Sequence, residues 1–220
     1  MNISEIVVKP ILSSLFQEIG YVVHRKNESD CFVIDPGLEP EKFLKHFDKK
    51  GLTPVALLVT HGHGDHIGGI MAIREKCPSA KIYIGKLDAD KLTDPVGNLS
   101  AALGISLVMP KADVLLNHGD TLDLAGISIE VRHVPGHSKG HMVYWIADEP
   151  QGDNPKGMVF VGDVIFRGTI GRSDFPDCEP KIQIPMIRSN ILTLPDDTVI
   201  YPGHGEPTTV GIESMTNPYL

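Results

Sequence analysis

Three histidines and an aspartate, His61, His63, Asp65 and His66, fall within six residues directly behind the apolar run Val55-Ala56-Leu57-Leu58-Val59. A buried polar group without a partner costs free energy, so four of them beside a core strand call for a shared partner. A metal cation meets that need. Three further ligand-type residues stand at turns after apolar runs: His137 in Val134-Pro135-Gly136-His137, Asp163 in Phe160-Val161-Gly162-Asp163, and His204 in Tyr201-Pro202-Gly203-His204. Each has glycine beside it, where the backbone can turn sharply and aim a side chain into a common cleft. Imidazole nitrogen with carboxylate oxygen suits zinc, iron or manganese, whereas calcium takes mostly oxygen.

Seven ligands exceed what one tetrahedral ion uses, and they divide between two divalent ions a few ångströms apart. His61 and His63, two apart in an extended loop, share one ion with His137. Asp65 and His66, at a helix start, turn to the second with His204, and Asp163 bridges. Such a pair lowers the pKa of a water held between the ions and polarises a carbonyl, which is hydrolytic chemistry. Zinc is the first expectation, with iron and manganese as alternatives. Asp65 and Asp163, the carboxylates of the set, are the catalytic candidates. His137 is preferred over His133 and His141 because it occupies the turn itself; those two are expected to support the ligands or face solvent. His24, His46 and His118 have no companions and read as satisfied or solvated. Asp35, in Asp35-Pro36-Gly37 after a strand, reads as a turn or supporting residue rather than a ligand. Arg172 is the candidate for holding an anionic substrate, since it follows Asp163 closely and guanidinium pairs bidentately with carboxylates; an ion pair with Asp174 is the alternative.

The elements that must position these residues begin with strands at Ile11–Phe16, Gly20–His24 and Cys31–Ile34, an antiparallel meander broken by Lys26-Asn27-Glu28-Ser29-Asp30. A helix follows over Glu41–Lys50, stopped by Gly51, then the buried strand Val55–Val59. The pattern predicts a helix over Ile67–Cys77, a strand over Lys81–Ile84, and a long excursion over 86–112 with one short helix. Strands recur at Thr121–Leu124, Ile127–Val134, Met142–Ala147 and Met158–Val161, and a helix at Lys181–Leu192. Strands with interspersed helices in both halves, without regular βαβ repeats, predict two packed sheets with helices outside.

A chain of 220 residues with 41% hydrophobic content can bury one sizeable core, so residues 1–220 are expected to form a single domain. The net charge of −8 and the scattered basic residues argue against nucleic acid as a partner. No window reaches the ~20 apolar residues that a membrane span needs. Met1–Pro10 lacks the features of a signal peptide, and Cys31, Cys77 and Cys178 form no CxxC pair, so a cytoplasmic protein without disulfides is expected.

The set His61-Gly62-His63-Gly64-Asp65-His66 with His137, Asp163 and His204 resembles the metallo-β-lactamase-fold hydrolase superfamily. The resemblance spans residues 61–204 and implies an αββα sandwich of two mixed β-sheets flanked by helices, with the metal site at one edge. Gly162-Asp163-Val164-Ile165-Phe166 and Gly171-Arg172-Ser173-Asp174-Phe175 are most similar to the small bacterial glyoxalase II-like thioesterases, with the related persulfide dioxygenases close by. That likeness implies a small-molecule thioester substrate such as a hydroxyacyl-glutathione, contacted by Arg172. The C-terminal helical domain that completes the glutathione pocket in larger relatives is expected to be absent, since 16 residues follow His204. The open edge then suggests a homodimer. The alternative activity is a persulfide dioxygenase using one iron, which the resemblance assigns to His61, His137 and Asp163.

Overall fold

A computed structural model describes residues 3–148 and 157–220. Strands β1 (Ile6–Leu12), β2 (Ile19–Arg25) and β3 (Asp30–Ile34) form the expected antiparallel meander. Helix α1 (Pro40–Lys50) then carries the chain across so that β4 (Thr53–Val59) pairs with β3 in parallel, a connection no hairpin can make. Proline in its first turn and Gly51 in the left-handed conformation bound this helix. The short helices α2 (Gly64–Ile67) and α3 (Ile70–Lys76) lead to β5 (Lys81–Gly85), and β6 (Val114–Leu116) completes a mixed six-stranded sheet in the order β1 to β6.

The second half repeats this arrangement. Strands β7 (Thr121–Leu124), β8 (Ile127–His133), β9 (Met142–Ala147) and β10 (Gly157–Gly162) run antiparallel in turn. After the two-residue strands β11 (Ile165–Phe166) and β12 (Thr169–Ile170) and helix α4 (Pro180–Asn190), β13 (Val199–Pro202) returns parallel to β10. Strand β14 (Thr208–Thr209) and helix α5 (Val210–Thr216) follow, giving the sheet order β14-β13-β10-β9-β8-β7.

Strand alternation explains the layering. In β3 and β4, Phe32, Ile34, Ala56 and Leu58 face the second sheet, against Val131, Tyr144 and Phe160. Their neighbours Cys31, Val33, Leu57 and Val59 pack instead with Phe43, Phe47, Ile70 and Ile73 of α1 and α3. Strand β10 does the same, with Phe160 inward and Val159 and Val161 against Ile187 of α4. Because both faces are covered, β4 reads as a continuous apolar run rather than an alternating one. The result is the αββα sandwich of two mixed sheets.

Four details differ from the sequence reading. The first strand covers Ile6–Leu12, not Ile11–Phe16: β1 pairs with β2 alone, and an edge strand tolerates Pro10. The helix expected over Ile67–Cys77 is two pieces, because the chain at Gly68-Gly69 crosses close over Pro36 and Gly37, where a Cβ on Gly69 would lie 2.7 Å from the Gly37 carbonyl oxygen. The excursion holds two 3₁₀ turns, Ala89–Thr93 and Ala101–Leu103, in place of one helix. The short strands β6, β11, β12 and β14 carry too few residues to show periodicity. Among the described residues no helix is long and apolar enough to cross a membrane, and the three cysteines are free.

Candidate metal centre

Loops at the C-terminal ends of β4, β8, β10 and β13 deliver the seven side chains to one edge of the sandwich. His61, His63, His66, His137 and Asp163 are buried, and Asp65 and His204 are half-buried. Ring nitrogens of His61, His63 and His137 face one another: His137 Nε2 lies 3.3 Å from His61 Nε2 and 3.1 Å from His63 Nδ1. On the other side, His66 Nε2 lies 3.8 Å from Asp65 Oδ2 and 3.4 Å from Asp163 Oδ1. His204 Nε2 stands 3.5 Å from both Asp65 Oδ2 and Asp163 Oδ2. Asp163 also reaches to 3.8 Å of His137 Nε2 and so stands between the two groups. Two glycines permit this closeness. A Cβ on Gly203 would meet Asp163 Oδ1 at 2.4 Å, and Gly162, at φ +48°, packs against Thr60 and His141.

The hydrogen bonds behind the rings fix which nitrogen carries the proton. Thr60 donates its single hydroxyl proton to Asp35 Oδ2 at 2.6 Å, so in its 3.0 Å contact with Thr60 Oγ1 the His61 Nδ1–H is the donor. His137 Nδ1 donates to the Arg172 carbonyl at 2.7 Å, and His66 Nδ1 donates to Asp35 Oδ2 at 3.0 Å. In each neutral ring the Nε2 lone pair is therefore left facing the cluster, the arrangement a metal ligand needs. Asp35 also accepts from the Thr60 backbone N–H at 2.7 Å, which gives it the supporting role expected of it.

Electrostatics separates the two groups. Burial, reinforced by neighbouring imidazoles, holds His61 well below the usual histidine range and lowers His63 to about 3. Burial likewise lowers His137. His66 moves the other way: burial opposes its charge, but Asp163 and Asp65 outweigh it and hold the ring well above the usual range. His204 is raised for the same reason, by Asp65 and Asp163. Burial disfavours the Asp163 anion, yet His66, His137 and His204 hold its carboxyl far below the normal carboxylate range.

The donor set fits two divalent cations. His63 Nε2, His66 Nε2 and Asp163 Oδ1 are buried without a hydrogen-bond partner, and the bare Nε2 atoms of His61 and His137, 3.3 Å apart, have no proton to share. The ligand atoms of His61, His63 and His137, of His61, His66 and Asp163, and of Asp65, His66 and His204 each lie within 4.8 Å of one another.

Asp88 carries no local sequence signal, whereas His141 was expected either to support the ligands or to face solvent. Asp88 is fully buried and accepts from the backbone N–H groups of Gly62 at 2.9 Å and Gly140 at 2.7 Å, and from the Ser138 hydroxyl, tying the His61–His63 loop to the His137 loop. His141, buried and stacked 4.8 Å from His61, accepts from the Asp163 backbone N–H at 3.2 Å. His133 bonds the Lys139 carbonyl, His24 bonds the Arg25 carbonyl, and His118 accepts from the His133 N–H. His46 Nε2, in contrast, is buried without a partner among the described residues.

A cavity of about 640 Å³ opens over the cluster, bordered by His63, Asp65, His137, Asp163 and His204. Arg172 lines it too, but its guanidinium makes two bonds to Asp174, at 2.6 and 2.7 Å, and stacks 4.3 Å over the Phe175 ring. The ion pair weighed from the sequence thus forms at the cavity edge.

A two-sheet sandwich carrying a histidine and carboxylate cluster on the loops of one edge defines a class of metalloprotein. The family model described as Metallo-beta-lactamase superfamily matches residues 17–204, and the chain belongs to that superfamily. It is 34% identical over 201 residues to the hydroxyacylglutathione hydrolase GloC of Haemophilus influenzae, covering 88% of this chain and 89% of that one. The crystal structure of BLEG-1 B3 metallo-beta-lactamase superposes with a TM-score of 0.88 at 33% identity, over 97% of this chain and 99% of the other. TTHA1623 in a di-iron-bound form superposes with 0.79 at 37% identity, over 97% and 100%.

Proposed function

We propose that this chain is a metal-dependent hydrolase that cleaves a small-molecule thioester with two divalent ions, zinc foremost. The observation that carries the reading is Asp163, shared by an all-histidine group and an acid-histidine group at the floor of one cavity. His61, His63 and His137 would hold one ion, Asp65, His66 and His204 the other, and Asp163 both. Bound there, two such ions acidify a water and polarise a carbonyl. The water oxygen bonds to the thioester carbon, the C–S bond breaks, and the leaving thiol takes the proton. Asp65 is half-buried at the cavity floor; burial disfavours its anion, but His66 and His204 hold its carboxyl below the usual carboxylate range, so it orients the water and relays its proton to the leaving sulfur rather than holding it. Phe175, 5.4 Å from His63, and Phe166, 6.1 Å from His204, keep bulk water from both flanks. Arg172 lines the substrate cavity in this reading, with its guanidinium paired to Asp174. The H. influenzae relative, named for hydroxyacylglutathione hydrolysis, supports thioester chemistry, and three free cysteines fit a reducing cytoplasm.

The test is thiol release from acyl thioesters by protein loaded separately with zinc, iron or manganese, together with metal counting. Two ions per chain and metal-dependent thiol release are expected. One iron per chain with oxygen uptake on a glutathione persulfide and no thioester cleavage would move the protein to the dioxygenase reading.

A further inference from the structure

Resting on the thioester reading, we propose that the cavity selects a thioester whose group at the rim is apolar and uncharged, in preference to a glutathione conjugate with its two carboxylates. Beyond the ligand cluster, Phe16, Leu99, Ala102, Leu103, Phe166 and Phe175 form the wall. Leu103 is 50% and Phe16 36% exposed, so apolar surface is held open to water at the mouth, as a binding surface for an apolar group requires.

The polar groups on this wall are already committed. The Asn98 amide donates both its protons, to the carbonyls of Lys91 and Leu107, and accepts from the Ser100 N–H, so it has no donor left for a carboxylate or a peptide carbonyl of a substrate. Arg172 is the one arginine or lysine among the described lining residues, and Asp174 pairs with it. Arg167, between β11 and β12, is similarly paired with Glu206 at 2.8 Å. A glutathione conjugate would bring two carboxylates, one ammonium and two amides to a wall whose polar side chains beyond the ligand cluster already have partners among the described residues, inside a chain of net charge −8. An acyl or thiol group of plain hydrocarbon meets a matching surface.

The test compares two thioethers that cannot be hydrolysed, S-hexyl-N-acetylcysteamine and S-hexylglutathione, by calorimetric titration of zinc-loaded protein, alongside kcat/KM on the corresponding S-hexanoyl thioesters. The neutral compound is expected to bind at least about tenfold tighter, with kcat/KM in the same order. Leu103→Asp should remove about tenfold of its affinity at unchanged metal content, and Asp174→Ala, by freeing Arg172, should improve S-hexylglutathione alone. Equal or tighter binding of S-hexylglutathione by the unaltered protein overturns the selectivity and leaves thioester hydrolysis standing. Hydrolysis of neither conjugate by protein carrying two ions overturns the thioester reading and this substrate assignment with it.

Discussion

Asp35 Oδ2 lies 3.0 Å from His66 Nδ1 and also accepts the Thr60 hydroxyl, which in turn holds His61 Nδ1, so one buried carboxylate orients a ring in each metal group. Asn at this position offers one accepting oxygen where three donors converge. Asp35→Asn should weaken metal affinity by about 10–100-fold, most at the group containing His66, as loss of such an orienting partner does. Titration against a chromophoric chelator measures this, and unchanged affinity at both positions would remove Asp35 from the role.

The opposite electrostatics of the two groups predicts ordered loading. A metal ion must displace any proton from its ligand, so a lowered histidine pKa extends binding to lower pH and a raised one postpones it. His63, at about 3, is neutral in mild acid, and burial lowers His61 and His137 in the same direction, whereas His66 and His204 are raised by their carboxylates. Zinc added to metal-free protein at pH 5 should therefore reach one equivalent, and the second should enter as pH rises toward 8. Two equivalents bound together across that range would contradict the order.

The seven candidate ligands were legible in the sequence because their spacing is local or tied to strand ends: His61 to His66 share one loop, and His137, Asp163 and His204 follow apolar runs beside glycine. Asp88 was illegible as a support for a plain reason, and for His141 the sequence left support and solvent exposure both open. Asp88 bonds backbone N–H groups 26 and 52 positions away, and His141 one 22 positions away, and a backbone donor leaves no trace in residue type. The two sheets followed from strands interspersed with helices in both halves without regular βαβ repeats, while the start of β1 did not, because Pro10 looks like a strand breaker until the strand is known to lie at an edge. The apolar mouth was hidden too, since Phe16 and Leu103 approach the ligands only after the chain folds.

Gly203 tests the packing of the second group. Its Cβ, were there one, would sit 2.4 Å from Asp163 Oδ1 and 2.7 Å from His66 Cε1. Gly203→Ala must therefore push two ligand side chains apart, at about 1–3 kcal/mol in stability by the usual range for overpacking. Bound metal should fall from two ions per chain toward one, read by elemental analysis after dialysis. Retention of both ions would show that the loop at Gly203 yields instead.

Asp88 gives a prediction that needs no metal. Burial disfavours its anion, but Lys91, the Ser138 hydroxyl and the N–H groups of Gly62 and Gly140 outweigh that penalty and hold its carboxyl below the usual carboxylate value. A depressed carboxylate contributes stability that is fully present above its unfolded pKa, near 3.8, and is lost as pH falls through the lower folded value. Asp88→Asn removes an ionised partner from buried Lys91 and places an amide N–H₂ where two oxygens accept. It should cost about 3 kcal/mol in urea unfolding of metal-free protein at pH 7, in the range for breaking a buried pair. Asp177, which also pairs with Lys91, keeps the loss from growing further. The gap between the two proteins should narrow as pH is lowered below 4, because the carboxyl of the unfolded chain then binds a proton while the folded one is still ionised, and it closes further as the folded carboxyl protonates in turn. A gap that stays constant from pH 7 to pH 3 would mean that Asp88 acts through shape rather than charge.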